Sequence, residues 1–222
     1  MLRDFAFIDI LALLRAARWT LLLSLLAFVG GGIAGAGITL LRVSRSPALR
    51  RVGQVYILVV QGTPLLMQMF LLYFGLALAG FDVPPVLAAA AAFTIYASAF
   101  FGEIWRGAIE SIPRQQWEAS ASLALTRIEQ LRYVIVPQAL RISVPPTVGF
   151  AAQVVKNTSL AALLGFADLT RVGQLINNVT LQPFPVFGTV ATIYFIICFP
   201  LSLLSRRLEG RLHVGRARIA RH

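Results

Sequence analysis

Apolar residues run along this chain in long blocks, separated by short stretches where arginine, proline and small polar residues gather. A helix needs about 20 mainly apolar residues to cross a hydrocarbon layer. Five blocks reach that length, at roughly 19–41, 54–79, 85–105, 142–165 and 183–205. No period-two alternation marks a barrel, and helices satisfy their own backbone in lipid. The pattern therefore predicts an all-α membrane protein with five transmembrane helices in residues 19–205. Residues 1–18, "MLRDFAFIDILALLRAAR", carry Asp4 and Asp9 inside the apolar run and Arg15 and Arg18 after it. That mixture predicts a retained interfacial helix rather than a cleaved leader.

Arginines on the two sides of these spans are unequal. Arg42, Arg45, Arg50 and Arg51 fall on one side with Arg106, Arg114, Arg127, Arg132 and Arg141, and six more follow in residues 206–222. Only Arg3, Arg15, Arg18 and Arg171 fall on the other. The excess predicts an outside N terminus, a cytoplasmic C terminus and a basic cytoplasmic tail at 206–222. This also accounts for the net charge of +11, which would otherwise suggest nucleic acid.

The predicted cytoplasmic segment 113–137 interrupts the apolar chain with "PRQQWEASASLALTRIEQLRYVIVP". Pro113 suits a helix start, and Thr126 with Glu129 has capping-box spacing, so two short helices are expected. Trp117, Ala121, Ala124, Ile128 and Leu131 recur at helical spacing as one apolar face. A solvated loop with an Arg114–Glu118 pair remains the simpler alternative.

Polar residues inside the apolar blocks are the candidates for a solute path. Gln153, Lys156, Asn157, Thr158 and Ser159 lie in the fourth block, and 153, 156 and 159 share a broad helix face. A lysine at membrane depth should face protein or water; pairing with a carboxylate such as Glu103 is the structural alternative, and Glu103 is itself expected to partner an arginine or Lys156. Gln61, Thr63 and Pro64 lie in the second block, where proline should kink the helix. Pro145 and Pro146 predict a kinked or broken fourth span. Asp168 and Arg171 fall in an expected solvated outer loop.

Glu118-Ala119-Ser120, Ala124 six residues after the glutamate, and Val134-Ile135-Val136-Pro137 resemble the EAA loop of ABC-importer permeases. Ser120 stands for the family's second alanine, Ala124 for its glycine and Val136 for its leucine. "QGTPLL" at 61–66, "GEIWRGAIESIPRQQWEA" at 102–119, "RYVIVPQALRISVPP" at 132–146 and "KNTSLAALLG" at 156–165 are similar to the histidine/glutamine/arginine type of permease. The resemblance implies a type I importer fold in a bacterial cytoplasmic (inner) membrane. It implies that Trp117, Glu118, Ala119, Ser120 and Ala124 couple to an ATPase, and that the polar residues above, with Glu103, border the pathway. Implied partners are two cytoplasmic ATP-binding subunits, a second identical or paralogous permease and an extracytoplasmic solute-binding protein.

ATP and Mg are expected on the partner, because the sequence has no G-x-x-x-x-G-K-[ST] loop. Gly31 and Gly35 in "VGGGIAGAG" instead have the G-x-x-x-G spacing of close helix packing. His213 and His222 have no cysteine or carboxylate cluster beside them, so neither an enzyme nor a metal site is expected. An ATP-independent channel and a membrane assembly subunit are the competing functions.

Overall fold

Proline-free from Phe7 to Val43, the first apolar block forms one uninterrupted helix, α1 (Phe7–Val43), of 37 residues. The computed structural model describes the backbone of residues 3–219 and the side chains of residues 3–210, and all regular structure among them is helical. After α1 come α2 (Pro47–Gly62), α3 (Leu65–Leu78), α4 (Pro85–Glu110), α5 (Arg114–Ser122) and the single turn α6 (Arg127–Glu129). A π-helical stretch, Gln130–Ile135, leads into α7 (Val136–Asn157), which tightens to a 3-10 helix at Thr158–Leu164. The order closes with α8 (Leu169–Thr180) and α9 (Pro183–Ile219).

Helices α1, α4 and α9 are each long and apolar enough to span a membrane. Counting each of two bent pairs as one span raises the number to five. One pair is α2 with α3, bent by 97°, and the other is Arg127–Leu164 with α8, bent by 51°.

Small residues set the centre of the bundle, where α1 lies against α4. Ala89, Ala92 and Ala97 of α4 are fully buried, and Gly31 and Gly35 of α1 sit against Ala97 and Phe101. A Cβ on Gly31 would stand 2.4 Å from that of Ala97, far inside contact distance. The glycine pair thus serves close packing, and Phe101 fills the layer below, edge-on to Phe28 at 5.0 Å. Leu65 and Met69 of α3 and Phe150 and Val154 of α7 complete this core. A second cluster joins Leu13 and Ala17 of α1 to Leu169 and Ile176 of α8 and Val186 and Val190 of α9.

Four expectations are corrected by these elements. The described part of the 1–18 segment does not form a separate helix; from Phe7 it is the opening turns of α1. At about 1.5 Å per residue, 37 residues far exceed a core about 30 Å thick, so a polar first section is compatible with a single helix. Asp9 is tolerated because Arg3 donates to its carboxylate at 2.6 Å and the Ala6 N–H at 2.9 Å. The second block breaks at Thr63-Pro64 instead of bending. The fourth block stays helical through Pro145 and Pro146, and its departure from α-helix is the 3-10 stretch at 158–164, with a π-helical stretch at 130–135 ahead of the block. The outer loop folds mostly into α8. The helix α9 continues past 205 through Ile219, while the side chains of residues 211–222, His213 and His222 included, lie outside the described residues.

Candidate functional site

At the arginine-rich end of the bundle, α5 and α6 form a short hairpin between α4 and α7. Pro113 precedes α5 in extended conformation and sets its start, and the helix runs nine residues to Ser122. Trp117 and Leu131 pack toward Ile112, Ile135 and Ala139, which anchor the hairpin to the bundle. Gln138 of α7 also donates to Gln116 of α5 at 3.3 Å. The rest of the expected apolar face does not turn inward: Ala121 and Ala124 are exposed, and Ile128 is 77% exposed. The hairpin is too short to bury all five positions, so this apolar edge remains on the outside.

Glu118 and Ala119 are exposed, and Glu118 makes no ion pair with Arg114. Ser120 is buried, its hydroxyl donating to the Trp117 carbonyl at 2.9 Å. Ala124 has φ of 59°, the left-handed conformation that favours glycine. Its N–H donates to Ala121 O at 2.9 Å, and that of Leu125 to Ser120 O at 3.4 Å. These two bonds make a Schellman closure of α5. The departure from glycine at this position therefore falls where backbone geometry matters.

Thr126 and Glu129 form the expected capping box. The carboxylate accepts from the Thr126 N–H and hydroxyl, each at 2.7 Å, and these bonds hold the Glu129 pKa below its ordinary 4.5. A depressed carboxyl contributes fully above its unfolded pKa and loses that contribution as pH falls through the folded one. The protection factor of the amides at 126–130 should therefore stay constant near neutrality and fall as pH drops below 4.5 through the lowered folded-state pKa. Thr126→Ala should remove that protection at pH 7, and unchanged exchange would mean that the box holds nothing.

Along α2 and α3, the 97° break is built from polar groups. Thr63 Oγ1 donates to Val59 O at 2.9 Å. Gln68 Nε2 reaches back to Val60 O at 2.7 Å and to Thr63 Oγ1 at 2.8 Å. Proline removes the donor that would serve this turn, and the two side chains satisfy the carbonyls instead. Gln61 is exposed, and its amide lies 3.5 Å from Ala99 O near the middle of α4. Sequence reasoning missed Gln68, although it is the only amide in α3 and stands four residues after Pro64.

The polar residues at the end of α7 and the start of the 3-10 stretch divide between two faces. Gln153 and Lys156 are exposed, Gln153 donates to Asn157 at 3.1 Å, and Lys156 has no ion pair among the described residues. Ser159 is half-buried and donates to the Lys156 carbonyl at 2.8 Å. Thr158 departs from expectation: it is fully buried and bonded to Val155 O at 2.7 Å, so its hydroxyl faces protein.

Glu103 does not meet Lys156. It accepts from Arg106 at 3.0 Å and lies 3.9 Å from Arg42, tying α4 to the end of α1. Asp168 is not solvated either. Fully buried, it caps α8 by accepting from the Arg171 N–H at 2.8 Å, while Tyr194 approaches its other oxygen at 3.4 Å. The cap was legible in "DLTR"; its burial depends on Thr20 and Tyr194, which are distant in sequence.

A family profile described as "Binding-protein-dependent transport system inner membrane component" matches residues 14–214. The L-cystine transport system permease protein of Bacillus subtilis (strain 168) is 37% identical over 195 residues, covering 87% of this chain and 83% of that protein. The glutamine transport system permease protein of Escherichia coli (strain K12) is also 37% identical, covering 91% and 93%. A crystal structure of an amino acid ABC transporter with histidines superposes with a TM-score of 0.86 at 33% identity, over 94% of this chain and 100% of the other. The MetNI methionine ABC transporter, at 20% identity and a TM-score of 0.79, shares the fold.

Proposed function

The chain belongs to the family of binding-protein-dependent transport system inner membrane components, and on that premise we propose that it is the permease subunit of an ATP-driven importer of polar amino acids. ATP hydrolysis belongs to a separate ATPase subunit. The observation that carries the reading is the α5–α6 hairpin, which presents Glu118 and Ala119 outward while Trp117 and Gln116 fix it to the bundle. A protrusion held this way can transmit a push to α4 and α7, which a solvated loop cannot.

We place this basic end in the cytoplasm and the N terminus outside, because arginine excess marks the cytoplasmic side of multi-pass chains. Two ATPase subunits dock on that side, one of them on this chain's Glu118, Ala119 and the hairpin around Ser120 and Ala124. A second identical or paralogous permease completes the pathway, an extracytoplasmic binding protein delivers solute, and the assembly lies in a bacterial cytoplasmic (inner) membrane. ATP and Mg are bound by the ATPase subunits.

In this arrangement the exposed Gln153 and Lys156, with Asn157 and Ser159, line the path together with Gln61 and the break at Thr63-Pro64. Glu103 braces the cytoplasmic end. Lys156 is the cation offered to an amino-acid carboxylate, since no carboxylate among the described residues neutralises it. Lys156→Met should raise the KM for uptake about tenfold, the worth of one charged hydrogen bond. Unchanged kinetics in a folded variant would remove Lys156 from the path.

Uptake of labelled amino acids by the reconstituted complex tests the function itself. ATP should stimulate uptake of at least one polar amino acid when the binding protein is present. Uptake indifferent to ATP would leave a channel or carrier as the better description.

A further inference from the structure

Beside the hairpin, a cavity of about 460 Å³ opens between the α1–α2 turn, the end of α4, α5 and α6. Arg42, Arg45, Arg50, Arg114 and Arg127 all line it, against one carboxylate, Glu110. That carboxylate is already taken by Arg106. Arg42 has only the distant Glu103 at 3.9 Å, and its buried Nε has no hydrogen-bond partner among the described residues. Arg45, Arg50, Arg114 and Arg127 have no carboxylate within ion-pair distance among those residues. Like charges so gathered repel one another, and a buried guanidinium N–H without an acceptor is costly.

We propose that this cavity binds a phosphate group, carried either by an anionic lipid headgroup or by a free phosphate compound. The number of guanidiniums selects the chemistry. A carboxylate offers two oxygens and is satisfied by one arginine fork, whereas a phosphate offers three or four oxygens to several forks at once. The space exceeds what bare phosphate fills, and the walls at Val43, Ile109 and Trp117 are apolar. They accommodate a small organic group attached to the phosphate. Arg127 already stacks over the Trp117 ring at 4.7 Å, which positions its guanidinium at the cavity wall.

The walls come from elements with different tasks. Arg42 and Arg45 belong to the end of α1 and its turn, Arg50 to α2, and Arg114 and Arg127 to the hairpin. A bound phosphate ties the hairpin to the first two helices and sets how firmly it is held. This consequence for coupling rests on the importer function; the binding itself does not.

The test uses the full chain in two forms. In neutral detergent it is titrated with radiolabelled inorganic phosphate; in nanodiscs of phosphatidylglycerol and phosphatidylcholine, lipid retention is read by native mass spectrometry. One phosphate or one phosphatidylglycerol per chain is expected, and whichever probe binds identifies the source. Paired replacement Arg45→Gln with Arg127→Gln, at exposed positions, should weaken binding about tenfold or more. Arg51→Gln, a neighbour that does not line the cavity, should leave it unchanged. Binding of neither probe overturns the proposal and leaves an acidic protein segment as the occupant. Equal weakening by Arg51→Gln overturns it too, because diffuse surface charge would then suffice. In the reconstituted importer, phosphate binding without ATP-driven uptake sinks the transport function and spares the site; uptake without binding does the reverse.

Discussion

Gly31→Leu is expected to destabilise the folded chain severely, by overpacking the seam between α1 and α4. Even the first added atom is misplaced, since a Cβ on Gly31 meets the Ala97 Cβ at 2.4 Å, with Ala97 backbone at 3.3 Å behind it. Carbon atoms settle at about 3.5–4.0 Å, so α1 and α4 would have to separate by more than 1 Å. Neither side has a flexible chain end that could swing away. Separation would also loosen Gly35 against Phe101 and Gly102 against Ile38, because the three contacts lie on one seam. Overpacking of this kind costs typically 1–3 kcal/mol and more when backbone is involved, so about 3 kcal/mol or more is expected. Unfolding of the purified chain in mixed micelles measures it. Gly37→Leu is the control, since nothing lies within 4 Å of that position. A milder pair gives the mechanism: Gly31→Ala should destabilise, and adding Ala97→Gly should restore most of the loss. A Gly31→Leu protein as stable as Gly37→Leu would mean that the seam does not hold the bundle together.

That seam was legible in the sequence because its signal is local: two glycines four apart in an apolar run have few other uses. The helical class, the apolar blocks, the capping box and the hairpin were local in the same sense. Elements that depend on distant partners were not. Asp9 reads as a helix interruption until Arg3 folds back onto it, and Asp168 reads as solvated until Thr20 and Tyr194 close over it. Proline was over-read at 145–146, where the helix continues, and under-read at 64, where Thr63 and Gln68 cap the carbonyls and allow a full break. Proline removes a donor in every case; whether the helix bends or ends depends on what else can satisfy the carbonyls. Glu103 found arginines rather than Lys156 because it sits at the basic end, whereas Lys156 sits near the start of the 3-10 segment. Of the candidate site, the two short helices of the hairpin were legible in the pattern, and the coupling role of their residues came from resemblance alone. The cavity beside it was missed, since its arginines come from separate segments and each alone reads as a topology signal.

Ala124→Val is expected to uncouple the importer while leaving the bundle folded. The side chain at 124 is exposed, so valine meets no core residue. The difficulty lies in the backbone, at φ of 59°. An L residue there costs about 1–2 kcal/mol, which alanine already bears, and a β-branched residue is a true outlier. Valine should therefore open the closure made by the Ala124 and Leu125 N–H groups and release α5 from its fixed angle to α6. ATP-driven uptake should fall about tenfold or more, corresponding to roughly 1.4 kcal/mol lost from the driven step. Ala124→Gly should keep full uptake: relief of the left-handed penalty is offset by the 0.5–1 kcal/mol or so of extra chain entropy glycine loses on folding. The decisive variant is Ala124→Asn, whose side chain has one more non-hydrogen atom than valine's and reaches further, but tolerates the left-handed region. If asparagine couples and valine does not, backbone conformation at this position governs transmission from the ATPase. If both fail equally, bulk at the docking surface is responsible, and the left-handed turn is incidental to coupling.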